Sequence, residues 1–108
     1  MPISVLDRIV VRPGHLDRLL AGVRERYLPN ARGRGMTLAG IHILPPEEVE
    51  GVPREVTIVW TVPDFQAFFA MRGQACFDPT VAAFWEWCEP LIERRERRIG
   101  KMMTEADL

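Results

Sequence analysis

The sequence predicts an α+β fold of ferredoxin-like order, β-α-β-β-α-β, with its helices on one face of a single sheet. Three observations predict it. The two halves of the chain repeat one plan of strand, helix, strand. The β-branched runs are short and bounded by proline or glycine, as strands in a small domain are. Each half also carries apolar residues at helical spacing, which marks one buried stripe per helix.

The elements follow in order. Val5 to Arg12 is rich in β-branched residues and reads as a first strand, broken by Pro13-Gly14. A helix is expected from His15 to Tyr27, with Leu16, Leu19, Leu20 and Val23 on one face and Arg18, Arg24, Glu25 and Arg26 on the other. Pro29-Asn30 is expected to end it, and Arg32-Gly33-Arg34-Gly35 to form a flexible basic turn. Met36 to Leu44 reads as a second strand, stopped by Pro45-Pro46, and the acidic loop Glu47 to Pro53 leads to a third strand, Arg54 to Val62.

Asp64 is placed to cap a short helix, Phe65 to Met71, with a break at Gly73. Asp78 caps the next helix with Pro79 at its first position, where the missing N–H costs nothing. Val81, Phe84, Trp85, Cys88 and Leu91 keep helical spacing and face the core. Trp87 lies off that stripe and is expected to meet a dimer partner, a pocket mouth or solvent. Pro90 disfavours helix at Glu89, so the helix stops near there. Ile92 to Met103 reads either as an exposed helix with a Glu93–Arg97 pair or as a charged edge strand. The strand is favoured, because the first half needs a partner along its outer edge.

With 108 residues the chain is expected to form one domain spanning residues 1–108, large enough for a core but small. Hydrophobic residues at 47% and charged residues at 27% describe a soluble globular protein. A net charge of -1 gives no footprint for nucleic acid or an anionic membrane, so neither is expected as a partner. No apolar run approaches a membrane span and no secretory signal is visible. Cys76 and Cys88 lack CxxC spacing and read as reduced core thiols in a cytoplasmic protein.

In this topology one sheet face is covered by helices and the other is bare. The bare face still carries apolar residues and must be buried by something. Two such sheets packed face to face would bury it and leave a pocket between sheet and partner.

On these residues the chain resembles the NIPSNAP-like branch of the dimeric α/β-barrel proteins, over nearly its whole length. The marks are Arg12-Pro13-Gly14-His15-Leu16, Leu38-Ala39-Gly40 and Val59-Trp60, followed by Arg72 to Asp78-Pro79, then Phe84, Pro90-Leu91 and Arg98-Ile99. The resemblance implies a homodimer whose two sheets build a barrel-like core with a cavity in each subunit. The wider superfamily includes cofactor-free monooxygenases, polyketide cyclases, haem-degrading enzymes, isomerases and lyases. Two positions depart from the family pattern. Asp7 and Ile9 stand where its first strand tends to carry Arg and Tyr, and Ile58 stands where its third strand often has His. The family's usual polar lining is therefore not carried over.

The chain's own candidates are Asp7 and His42. Asp7 alternates with Val5 and Ile9, the cavity face if the family register applies, and a carboxylate in an apolar pocket can serve as general acid or base. Its other reading is a partner of an arginine across the sheet or the dimer. His42 is expected on the face of Gly40 and Leu38, with Gly40 leaving room for a ligand. It either shuttles a proton or hydrogen-bonds a carbonyl oxygen, or is a histidine simply hydrogen-bonded within a strand. Trp60, with Ile58 on its face, either walls a pocket for a flat ligand or fills the core. Arg8 points away from Asp7. The Arg32–Gly35 turn precedes a strand and lacks the context of a phosphate loop.

No HxxxH, HExxH, CxxC or paired-carboxylate cluster suggests a metal, and no nucleotide motif or serine nucleophile is present. The resulting expectation is a cofactor-independent homodimer acting by proton transfer on a small, largely apolar carbonyl or aromatic metabolite, as isomerase, cyclase or lyase. Asp7 and His42 would be catalytic, and Trp60, Ile9, Ile58 and Gly40 would bind substrate, with no cofactor and no metal. The alternatives are a cofactor-free monooxygenase of a polycyclic phenol, or a non-enzymatic small-molecule-binding or scaffold homodimer.

Overall fold

The computed structural model describes residues 2–108. Strand β1 runs Ile3–Val11, followed by helix α1 (Leu16–Gly22), a π-helical turn (Val23–Tyr27) and α2 (Leu28–Gly33). Strands β2 (Thr37–Leu44) and β3 (Arg54–Val62) come next, then α3 (Phe65–Cys76), α4 (Pro79–Cys88), a 3₁₀ turn (Glu89–Leu91) and β4 (Ile92–Lys101). The four strands form one antiparallel sheet in the order β2-β3-β1-β4, the expected ferredoxin-like arrangement.

Alternation sets the two faces. Ile3, Val5, Asp7, Ile9 and Val11 of β1 are buried under the helices, as are Val56, Ile58, Trp60 and Val62 of β3. Leu16, Leu19, Val23, Phe68, Met71, Phe84 and Leu91 pack down on them from the helix layer. The opposite face carries Leu6, Arg8, Val10, Glu55, Thr57 and Val59, all half-buried and covered by no helix.

Three local expectations are corrected. Pro29 does not end the first helical segment, which continues to Gly33. The π turn shifts the hydrogen-bond register, with Leu28 N–H reaching the Val23 carbonyl, so Pro29 falls in the first turn of a new segment where its missing N–H is harmless. The basic turn therefore shrinks to Arg34-Gly35, Gly35 taking φ +86°. Gly73 does not break α3, which runs on to Cys76, because a single interior glycine weakens a helix without stopping it. Asp64 and Asp78 cap α3 and α4 as expected, accepting from Ala67 N and Thr80 N.

The two cysteines differ. Cys88 is buried in the core, and burial pushes its thiol up to about 11 against the opposing pull of Arg95 and Arg26. Cys76 is exposed and is not a core thiol, since it ends α3 on the helix's outer side. Trp87 is half-buried, packed against the core on one side. Its ring lies against Gly22, where any Cβ would overlap it, and Arg26 stacks 5.0 Å from its centroid.

Candidate functional site

Strand register decides which candidate residues meet. Asp7 pairs with Ile58 on one side and Arg97 on the other, and all three point to the helix side. On β2 the register slips between Leu38 and Gly40, so a bulge at Ala39 separates the faces of residues that simple alternation would unite. Leu38 stays opposite Trp60 on the helix side, whereas Gly40 and His42 lie opposite Val59 and Thr57 on the open face. Asp7 and His42 are therefore on opposite faces of the sheet and do not form an acid–base pair. A bulge flips every later side chain, and its local signal is Gly40, an isolated glycine inside a strand, a feature that marks room for a ligand as readily as a bulge.

Asp7 sits instead in a polar cluster between sheet and helices, only 2% exposed. Arg97 donates from Nε to Oδ1 at 2.7 Å and from Nη2 to Oδ2 at 3.0 Å. The indole Nε1 of Trp60 donates to the same Oδ2 at 3.0 Å. Arg97 Nη2 also donates to the Tyr27 hydroxyl at 3.0 Å. Burial by itself lowers the Arg97 pKa, but the hydrogen bond and charge of Asp7, with a smaller contribution from Tyr27, outweigh it and raise the value. The guanidinium is thus a permanent, oriented cation.

Its surroundings are aromatic. The Tyr27 ring lies 5.6 Å from Trp60, 5.0 Å from Phe84 and 5.4 Å from Trp85, centroid to centroid. Tyr27 is delivered by the last residue of the π turn, a feature that often re-aims a side chain at a site. The Arg34 guanidinium also lies over that ring, 5.6 Å from its centroid. Asp7 is fully enclosed, but the Arg97 side chain keeps 30% of its surface accessible. Its Nη1 makes no hydrogen bond among the described residues. The cluster therefore holds a partly accessible guanidinium with one nitrogen uncommitted among the described residues.

Two recesses lie along β4, one to either side of the Arg97 position, with Arg97 itself in the lining of neither. One, of about 530 Å³, is lined by Ile3, Asp64, Phe65, Ile99, Gly100 and Lys101. The other, of about 500 Å³, lies by Trp85, Ile92 and Arg95, with Arg95 stacked 4.0 Å over Trp85. Ile9, Ile58 and Trp60 are core residues beneath the cluster, at most 1% exposed, so substrate would meet them only through a rearrangement. Gly40 borders open space on the other face. There Arg8 bridges Glu55 and Glu96, with Nε 3.0 Å from Glu55 and Nη1 3.0 Å from Glu96.

Sequence reasoning missed Arg97 and Tyr27. Arg97 stood in a run of mixed charges that read as a solvated edge, and four arginines there were equal candidates. The usable signal was Asp7, since an aspartate in an apolar strand implies a cation opposite it.

No protein-family model matches the chain, and no curated protein is significantly similar to it. Solved structures do match. A NIPSNAP family protein from Agrobacterium tumefaciens is 24% identical, with 97% of this chain and 95% of that chain covered and a TM-score of 0.72. A NIPSNAP domain protein from Burkholderia xenovorans is 17% identical, with 97% of each chain covered and a TM-score of 0.70. SnoaB, a cofactor-independent oxygenase from Streptomyces nogalater, is 14% identical over 95% and 94% of the two chains, with a TM-score of 0.60. The chain has the ferredoxin-like fold of the NIPSNAP proteins, and the likeness extends to SnoaB. Among the described residues no helix is long and apolar enough to cross a membrane.

Proposed function

We infer that this chain is a homodimer that binds a small carbonyl or phenolic metabolite, holding the ligand's oxygen at Arg97 beside Tyr27 without metal or organic cofactor. One observation carries the reading. Three hydrogen bonds fix Asp7 to Arg97 and Trp60, while Arg97 Nη1 has no partner among the described residues and the Arg97 side chain stays 30% accessible. Asp7 is then a positioning residue rather than a proton carrier. A clamped cation beside a phenol polarises a carbonyl or stabilises an enolate or phenolate, as pre-aimed donors do at developing negative charge.

Proton-transfer chemistry of the isomerase, cyclase or lyase kind would use this pair as its electrophile. The carboxylate beside it, Asp7, is committed to Arg97 and Trp60, so binding and polarisation are the better supported roles. The open face, with Leu6, Val10 and Val59, is the surface a second copy would cover, and His42, on the same face, would meet that copy. An exposed free thiol at Cys76 suits a reducing, cytoplasmic setting.

The cofactor-free oxygenase remains the second reading, favoured by the same cation, because a phenolate is the electron-rich form of a phenol that reacts with oxygen. SnoaB shares the fold and is such an oxygenase. Oxygen consumption with a polycyclic phenol separates the two readings.

The test of binding is a titration with 4-nitrophenol, read by its yellow phenolate band. Wild-type protein is expected to enrich the bound phenolate, and the Asp7→Asn/Arg97→Met double variant, which removes both charges together, to lose it. Equal enrichment in a well-folded double variant would overturn the assignment.

A further inference from the structure

Resting on the Arg97 reading, we propose that the recess of Ile3, Phe65 and Ile99 takes the hydrocarbon part of a ligand whose anionic oxygen sits at Arg97, the matching class being medium-chain carboxylates.

The recess is apolar where a soluble surface has little reason to be. Phe65 is 59% exposed and Ile99 42% exposed, and Phe69, one turn on from Phe65 along α3, stacks 6.5 Å away at 61% exposure. The volume of about 530 Å³ lies within the usual range for small-ligand sites. Ile99 and Arg97 are alternate residues on the same face of β4, so their Cα atoms stand about 7 Å apart. The hydrocarbon wall and the free donor are therefore neighbours on one strand edge.

Charge on the rim agrees. Lys101, two residues beyond Ile99 on the same face, adds a second cation. The one rim carboxylate, Asp64, already accepts from Ala67 N at 2.8 Å as the cap of α3. A neutral apolar ligand would fill the recess and ignore Arg97, and a small anion would do the reverse. Only a ligand carrying both parts uses both features.

The experiment is calorimetric titration of the full chain with hexanoate, octanoate and decanoate, each below its micelle threshold, against 1-decanol. Affinity is expected to rise with chain length, by up to about fourfold per methylene, and decanol to bind roughly tenfold more weakly than decanoate. Ile99→Asp, at an exposed position, should weaken decanoate about tenfold while 4-nitrophenol binding persists. That contrast separates failure of the recess from failure of the Arg97 site.

Affinity independent of chain length, or unchanged in Ile99→Asp, would overturn the proposal. Decanoate binding in Asp7→Asn/Arg97→Met as tight as in wild type, with its advantage over decanol intact, would overturn the head-group assignment. Decanoate binding that appears only in Met102→Asp/Met103→Asp would show the recess to be occupied by the chain's own tail, and would also overturn it.

Discussion

Asp7 and Arg8 are adjacent in β1, point to opposite faces, and each meets a residue of opposite charge on β4. On the helix side Asp7 is 2% exposed and shares two hydrogen bonds with Arg97 and one with Trp60. On the open side Arg8 bridges Glu55 and Glu96 with 42% of its side chain accessible. The geometries are similar and the environments are not. Water and salt screen the Arg8 bridges, so they contribute little. Beneath the helices the same chemistry fixes a cation in one orientation, and losing Arg97 strands the Asp7 carboxylate. A charge pair becomes a positioning device where burial leaves it no alternative.

Breaking the buried side should give the largest effect. Arg97→Met leaves the Asp7 carboxylate buried and unpaired, and should cost about 3 kcal/mol in urea unfolding. Asp7→Asn/Arg97→Met should recover most of that loss, because no lone charge remains. A double variant as unstable as the single one would show that the two charges are not coupled.

Loosening the helix layer over that side comes next. At Gly22→Ala the new methyl meets the Trp87 ring, which packs among Phe84 and Arg26. Overpacking of this kind should cost about 2 kcal/mol. A neutral result would mean that the ring swings aside, and that the cover over Tyr27 is softer than its packing implies.

The smallest effect is expected on the open side. Arg8→Ala should leave the urea midpoint of the isolated subunit unchanged, and any difference should fade with added salt. A large, salt-independent loss would erase the contrast between the two faces.

The fold was legible because its cues are local. Asp64, Asp78 and Pro79 announce helix starts, and the alternation of Val56, Ile58, Trp60 and Val62 announces a strand with one buried face. Even the last strand, with a single buried residue, followed from the need to complete the sheet. The site was less legible because it depends on register. Asp7 was identified as the unusual residue, and its pairing with an arginine was one of its two readings. Which arginine, and that Tyr27 would join it, depended on β1–β4 alignment and on a π turn that helical periodicity does not reveal. His42 is displaced to the other face by one bulge in the β2–β3 pairing, next to Gly40.

The most direct test of the central claim is nuclear magnetic resonance of the arginine Nε–H groups in uniformly ¹⁵N-labelled protein, before and after adding 4-nitrophenolate. The account predicts that the Arg97 Nε–H, hydrogen-bonded to Asp7, exchanges slowly with solvent and shifts on phenolate addition, while the Arg8 Nε–H exchanges faster and stays in place. An unmoved Arg97 signal, or a phenolate-induced shift at Arg8 instead, would contradict the assignment of the ligand to the helix side of the sheet.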